Sequence, residues 1–421
     1  MGDWQQMWKG LQIEIHAHQE LLDSLGPVYQ QLFIDRPNRP RSMGYFDAVV
    51  GDIHGGRVAE LLDARSEGRP VVGIFCIFVP EEIIIAAGGI CVGVCGGAQM
   101  PIPWAEEVLP RTLCPLVKSA VGFKLSRTCP YFQVLTEGWG ETTCDGKKKA
   151  WETLSEFMPF NVLEVPQTKT GTAFGLWFSE VKRFSGHMQV AGRPFSAPEL
   201  KDAIALVNEK RRAMQRLARL RWSNPPVLSG LDGLLIEQLS FFDDPERFTA
   251  QVNALADELE KRVEKGPFLP KDAPRIMVAG SPMPIPHWKV HAIVEGAGAL
   301  VVHEESCIGS RYYRDLVEPS GDDAGHLLEA IARRYFKITC ACFTPNTERV
   351  ERVVEEAVES GAQGVIYHSL SFCQIYEGEA LKVKRALEDK GIPTLVVSTD
   401  YSTEDVEQLR TRVEAFLEEI A

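Results

Sequence analysis

The chain has 421 residues, 45% of them hydrophobic and 24% charged, and 45 Lys and Arg face 58 Asp and Glu for a net charge of −13. That length holds two or three domains with substantial cores, and the composition is that of a globular protein rather than a fibrous or disordered one. The acidic balance, with no Lys/Arg run interleaved with aromatics, argues against nucleic acid as a partner, and the longest apolar stretch, 71–94, is too interrupted by Pro80, Glu81 and glycines to span a membrane.

The opening MGDWQQMWKG has no apolar core of a secretory leader. A cytoplasmic, reducing compartment is therefore expected. There, ten cysteines are metal ligands or buried thiols before they are disulfides.

Residues 1–69 read as a helical segment, with a first helix before the Pro37–Pro40 break and a second over 45–64. From Pro70 the pattern changes to strand, short helix, strand: VVGIFCIF, PEEIIIAAGG, ICVGVC. That alternation with tight joints is the grammar of a parallel sheet. A helix near 113–120, a strand near 132–136, a helix opening at Thr143 and a strand near 162–165 continue it. The stretch 196–266 is helical, opened by Ser196 and Glu199 as a capping box around Pro198. The Pro- and Gly-rich GPFLPKDAPR then links to a second α/β unit.

That unit predicts strands at 275–279, 299–303, 364–367 and 394–397. Helices lie between them: one ending near Gly296, then 324–335, 346–360 with Asn346 as N-cap, and 379–390, with a last helix from Ser402. The expected architecture is two doubly wound, flavodoxin-like parallel-sheet domains, 70–270 and 271–421. The first carries the helical insertion 196–266, and residues 1–69 form a helical N-terminal segment. No short internal sequence repeat is present.

Six cysteines fall at the ends of these elements: Cys76, Cys114 and Cys144 in the first half, Cys307, Cys340 and Cys373 in the second. Their intervals of 38, 30, 33 and 33 residues are far wider than the close pairs of a zinc ribbon. Only a complete fold can bring them together. A single cysteine on an apolar strand is ordinarily core, and Cys91 and Cys95 are assigned so. Six at strand ends and helix starts point instead to a thiolate-held metal site, iron–sulfur or zinc, since soft thiolates favour these metals and helix N-termini favour the thiolate. Cys129 and Cys342 are reserve ligands; Cys340 and Cys342 are too close in sequence to separate.

FCIFVPEEIIIAAGG, LCPLVKS, TTCDGKKK, the segment around Cys373 and the terminal STDYSTEDVEQLRTRVEAFLE together resemble the 2-hydroxyacyl-CoA dehydratase component family. GWGETTCDGKKKAW and EESCIG are most similar to its double-cubane cluster branch. The resemblance implies that Cys76, Cys114 and Cys373 hold one [4Fe-4S] cubane. It implies that Cys144, Cys307 and Cys340 or Cys342 hold a second, joined to the first by a bridging sulfide. It further implies a homodimer fed with low-potential electrons by a separate ATP-hydrolysing iron–sulfur reductase (the activator) and reducing a small molecule such as acetylene.

Two other functions stay open at this level. One is a 2-hydroxyacyl-CoA dehydratase subunit with a single [4Fe-4S] cluster; the other is a non-enzymatic electron carrier or metal-stabilised scaffold. No Walker A run or G-x-G-x-x-G helix opening occurs, so ATP binding by this chain is not expected. Glu81 and Glu82 are expected to sit at a helix N-terminus, where carboxylates are favoured. Lys147–Lys149 and the basic run Lys210, Arg211, Arg212, Arg216 and Arg219 are expected on solvated helix faces. His287, His291 and His303 match no motif.

Overall fold

The computed structural model describes residues 4–266 and 268–420; the first three residues of the opening segment and Pro267 of the linker lie outside them. In the first half β1 (Val71–Ile74), β2 (Ile90–Gly93), β3 (Glu137–Glu141) and β4 (Phe160–Leu163) pair in the order β2-β1-β3-β4, all parallel. In the second half β5 (Arg275–Gly280), β6 (Leu300–Glu305), β7 (Gly364–Leu370) and β8 (Thr394–Thr399) pair in the order β6-β5-β7-β8, again all parallel. One winding plan is thus used twice. In each sheet the order of strand addition reverses beside its first strand, and at such a switch point the crevice opens outside the carboxyl ends of the strands.

Several elements differ from the sequence expectation. The strand expected near 132–136 is the helix Pro130–Val134, opened by a proline in its first turn, and the strand follows at EGWGE. That strand has no aliphatic run because its glycines make room for neighbours. A Cβ on Gly138 would stand 2.7 Å from the Phe160 ring, and one on Gly140 would stand 2.6 Å from the Trp151 indole. The expected helix over 45–64 is two, Met43–Gly51 and Gly56–Ser66, because Asp52 turns back to accept the Gly56 N–H at 2.8 Å. Asn346 precedes its helix, but its side chain does not cap it; Nδ2 donates instead to the Cys340 carbonyl at 2.9 Å and to Glu379 at 2.8 Å.

The helix Gly171–Ala191 occupies a stretch for which the sequence reading places no element. Its buried Ala173, Trp177, Val181, Phe184 and Met188 nonetheless recur at helical spacing. The helices Ala197–Arg221, Gly230–Leu239 and Pro245–Lys265 follow, and the capping box of Ser196 and Glu199 forms as expected.

The basic run on Ala197–Arg221 is split. Arg212 and Arg219 are exposed, and Arg216 reaches Asp257 and Glu260. Lys210 and Arg211, expected in solvent, are buried. The reason is a counter-charge arriving from elsewhere in the chain. Lys210 Nζ donates to Glu81 at 2.9 Å and Arg211 Nη1 to Glu82 at 2.7 Å. Both carboxylates also accept phenol hydroxyls from the second half, Glu81 from Tyr312 at 2.5 Å and Glu82 from Tyr335 at 2.8 Å. Glu81 and Glu82 do open a helix, Glu81–Ala86, but their side chains clasp three parts of the chain together.

Burial alone would raise the carboxyls of Glu304 and Glu356. Arg221 and His291 hold Glu304 down at about 2, and His303, Arg314 and Ser310 hold Glu356 down at about 2. A carboxyl lowered from an ordinary 4.5 adds stability that is complete above that value and is lost as pH falls toward 2. Urea midpoints between neutral pH and about pH 4 are therefore expected to show a loss of about 1 kcal/mol for each of the two carboxylates. Glu304→Gln and Glu356→Gln should flatten that slope; an unchanged slope in both would assign the acid sensitivity to other groups.

Candidate functional site

A cavity of about 350 Å³ lies between the two halves, and Cys76, Cys114, Cys144, Cys307, Cys340 and Cys373 all line it. Four of the six stand within three residues of a strand's carboxyl end: Cys76 after β1, Cys144 after β3, Cys307 after β6 and Cys373 after β7. Cys114, Cys144 and Cys373 occupy the N-cap positions of helices Pro115–Ser126, Asp145–Leu154 and Gln374–Glu388. The free N–H groups and positive dipole ends of three helices therefore face the cavity. Cys144 Sγ accepts the Lys147 N–H at 3.4 Å.

The thiols meet across the boundary between halves. Cys76 and Cys307 stand 4.0 Å apart, sulfur to sulfur. Hydrogen bonding from Cys76, aided by Arg311 and Lys147, lowers the Cys307 thiol to about 6 despite its burial. Cys114 is lowered in the same way by Cys373, with help from the Leu116 and Val117 N–H groups, and Cys340 by Cys342. The donor of each pair, Cys76, Cys373 or Cys342, is pushed up by the hydrogen bond it gives and by burial. Burial also raises Cys144, against the pull of Lys147. Each pair thus contains one sulfur favoured as thiolate, the form that binds metal.

Of the reserve cysteines, Cys342 is hydrogen-bonded to Cys340 and Cys129 occupies the N-cap position of the helix Pro130–Val134; neither lines the cavity. Cys91 lies away from it as well. Cys95 does line it, which corrects its assignment to packing alone. Its Sγ donates to the Phe75 carbonyl at 2.6 Å, and burial raises it to about 12, so it stays a thiol. No sequence signal separated Cys95 from Cys91, because positions four apart share one face of an extended strand; only the end of β2 at Gly93 parts them.

Two cations are buried at the cavity. Lys147, expected on a solvated face, is turned inward to pair with the fully buried Glu141, while Lys148 and Lys149 remain exposed. Arg311 Nη1 donates to Cys307 Sγ at 3.2 Å. Sequence reading missed Arg311, whose charge within SCIGSRYYRD marks nothing without the fold. Phe241, Phe242, Pro284, Ile285 and Leu370 are among the apolar residues of the wall, and Lys148 and Asp145 stand at the more exposed side.

Among the described residues, no three His, Cys, Asp or Glu side chains are gathered for a single metal ion; the sulfurs are distributed around the cavity wall. Glu81 and Glu82 are not part of that wall. His291 and His303 are bound to Glu304 at 2.7 Å and Glu356 at 2.9 Å, and His287 faces a separate groove. No helix among the described residues is long and apolar enough to cross a membrane.

The family profile described as 2-hydroxyglutaryl-CoA dehydratase, D-component, matches residues 76–420. A protein of Escherichia coli (strain K12) named as a dehydratase subunit, YjiM, is 37% identical over 362 residues, covering 85% of this chain and 93% of its own length. The (R)-phenyllactyl-CoA dehydratase beta subunit of Clostridium sporogenes is 24% identical over 359 residues, 83% of this chain and 92% of its own. One of the benzoyl-CoA reductase subunits of Thauera aromatica is 22% identical over 312 residues, 72% of this chain and 79% of its own. The relatives are thus subunits of dehydratases and of a reductase, and the matched span begins at the first of the cavity cysteines. The chain belongs to the 2-hydroxyacyl-CoA dehydratase component family.

Proposed function

We propose that Cys76, Cys114, Cys144, Cys307, Cys340 and Cys373 hold an iron–sulfur cluster of the double-cubane type, and that the chain is a reductase component acting on a small molecule. The supporting observation is that these six thiols, three from each half, line one cavity, beside Cys95, whose thiol is bonded to the Phe75 carbonyl. Four thiolates complete an ordinary cubane, so six suit a larger group. Cys340 is preferred to Cys342 because only Cys340 borders the cavity.

Such a group, when bound, stores and passes on electrons, here supplied at low potential by a separate ATP-hydrolysing iron–sulfur reductase. The chain's own residues do the rest. Three helix N-termini, Lys147 and Arg311 offset the charge of the thiolates. The Phe241, Phe242, Ile285 and Leu370 side chains limit water at the site. A homodimer is part of the same reading.

Anaerobic iron and acid-labile sulfide analysis tests it. About eight irons per chain are expected; about four would support instead a dehydratase subunit with a single [4Fe-4S] cluster. The names of the C. sporogenes and T. aromatica relatives favour a CoA-thioester substrate for that second reading. Zinc without sulfide would rule out both.

A further inference from the structure

Arg311 stands out among the buried cations because it touches a cavity sulfur directly. It follows Cys307 by four residues, in the short helix Ser310–Tyr313 that leaves β6, and is 1% exposed. Every edge of its guanidinium is engaged. Nε donates to Glu305 Oε1 at 2.6 Å, and Nη2 donates to the Gly280 carbonyl at 2.6 Å and to the Glu305 carbonyl at 3.1 Å. Nη1 donates to the Tyr376 hydroxyl and to Cys307 Sγ at 3.2 Å. A rigid planar fork held in this way cannot turn away from the sulfur.

The rest of the network explains why the arginine is held so firmly. Arg349 Nη1 donates to the same Glu305 oxygen at 2.7 Å, and Arg349 Nε donates to Glu379. Glu379 also accepts from Asn346, which donates to the Cys340 carbonyl. A buried row of alternating charges thus begins at one cavity cysteine and ends behind another. Gly280 is a fixed point in it: its φ is +124°, and a Cβ there would lie 2.0 Å from the His368 carbonyl.

A protonated thiol is a weak acceptor, whereas a thiolate or a metal-bound sulfur is a strong one. Aiming one arm of a desolvated guanidinium at Cys307 is therefore useful only if that sulfur carries negative charge. Adding an electron to a cluster held there would increase that charge, and a fixed cation within hydrogen-bond distance stabilises the more negative state. Cys114, Cys144, Cys340 and Cys373 are instead hydrogen-bonded by neutral groups: backbone N–H groups at all four, and a neighbouring thiol at Cys114 and Cys340. Charge-assisted bonds are the stronger kind.

We propose that Arg311 is a positioning residue for redox chemistry: its N–H bond to the Cys307 sulfur raises the reduction potential of the bound cluster and favours the added electron on the Cys307 side. This rests on the cluster-holding function proposed above. Lys147 acts differently, as a central cation paired with Glu141, and does not single out one sulfur.

The test is a redox titration of anaerobic holoprotein, read by electron paramagnetic resonance, for the wild type, Arg311→Gln and Arg311→Lys. Arg349 still holds Glu305 in these variants, so no carboxylate is stranded. At equal iron content, Arg311→Gln is expected to lower the reduced-to-oxidised ratio at fixed potential at least tenfold, which is about 59 mV for one electron. Arg311→Lys, which keeps the charge but not the fork, is expected to recover part of that shift. Full iron with an unchanged potential in Arg311→Gln overturns the inference and leaves the cluster itself standing. Absence of iron and sulfide in the wild type overturns the parent reading instead.

If Arg311→Gln does not retain its iron, the wild type decides. With isotopically labelled arginine nitrogen, pulsed measurements on the reduced protein should show hyperfine coupling to a guanidinium nitrogen, reduced in Arg311→Lys. No coupling in the wild type refutes the inference.

Discussion

Cys307→Ser and Cys144→Ser are each expected to lower the iron content from about eight per chain to about four or fewer. A serine hydroxyl is too weak an acid to replace a thiolate at a soft metal. Both positions border the cavity, and Cys307 meets Cys76 from the opposite half at 4.0 Å. Loss at Cys307 should thus disturb the part of the site shared between halves as well as its own. Cys340→Ser should behave in the same way, whereas Cys342→Ser and Cys91→Ser, which alter sulfurs away from the cavity wall, should keep full iron. Wild-type iron in both Cys144→Ser and Cys307→Ser would refute a six-cysteine site. Loss in Cys342→Ser but not in Cys340→Ser would exchange the assignments of that pair.

Arg211→Met should cost about 3–5 kcal/mol of stability, although the residue lies outside the cavity. Arg211 and Glu82 are both fully buried and bonded at 2.7 Å. Removing the cation leaves a carboxylate in the interior with only the Tyr335 hydroxyl as support. The penalty comes mainly from that stranded charge, not from the worth of the pair. Arg211→Met combined with Glu82→Leu should therefore regain most of the loss, because two well-packed apolar side chains replace two desolvated ions. Denaturant unfolding of the two variants measures this directly. A loss below about 1 kcal/mol in Arg211→Met would mean that water reaches Glu82, and the clasp between the halves would then be weaker than its geometry indicates.

The same residues show how far the chain could be understood before its fold was seen. Apolar runs bounded by Gly and Pro were enough to expect β1, β2 and all four strands of the second half, since strands covered on both faces are rich in apolar residues. β3 escaped because its space is filled from outside, by Phe160 and Trp151 over Gly138 and Gly140. Its apolar content belongs to other elements. Lys147, Lys210 and Arg211 were expected in water because charge is normally solvated. Nothing local to them reveals Glu141, Glu81 or Glu82 arriving from distant segments.

The cysteines divide along the same line. Their positions after strands and before helices are properties of local sequence, and these alone marked Cys76, Cys114, Cys144, Cys307, Cys340 and Cys373 as candidates for one site. Local pattern also determined the two-sheet α/β class, because the alternation of apolar runs and helices repeats along the chain. The distances between thiols depended on how two sheets oppose their carboxyl ends. So did the preference for Cys340 over Cys342, the presence of Cys95 in the wall and the bond from Arg311 to Cys307. Secondary structure is specified over a few neighbouring residues, whereas a site between two domains is specified by distant contacts, such as that of Cys76 with Cys307, 231 positions apart. Only the packed chain fixes those.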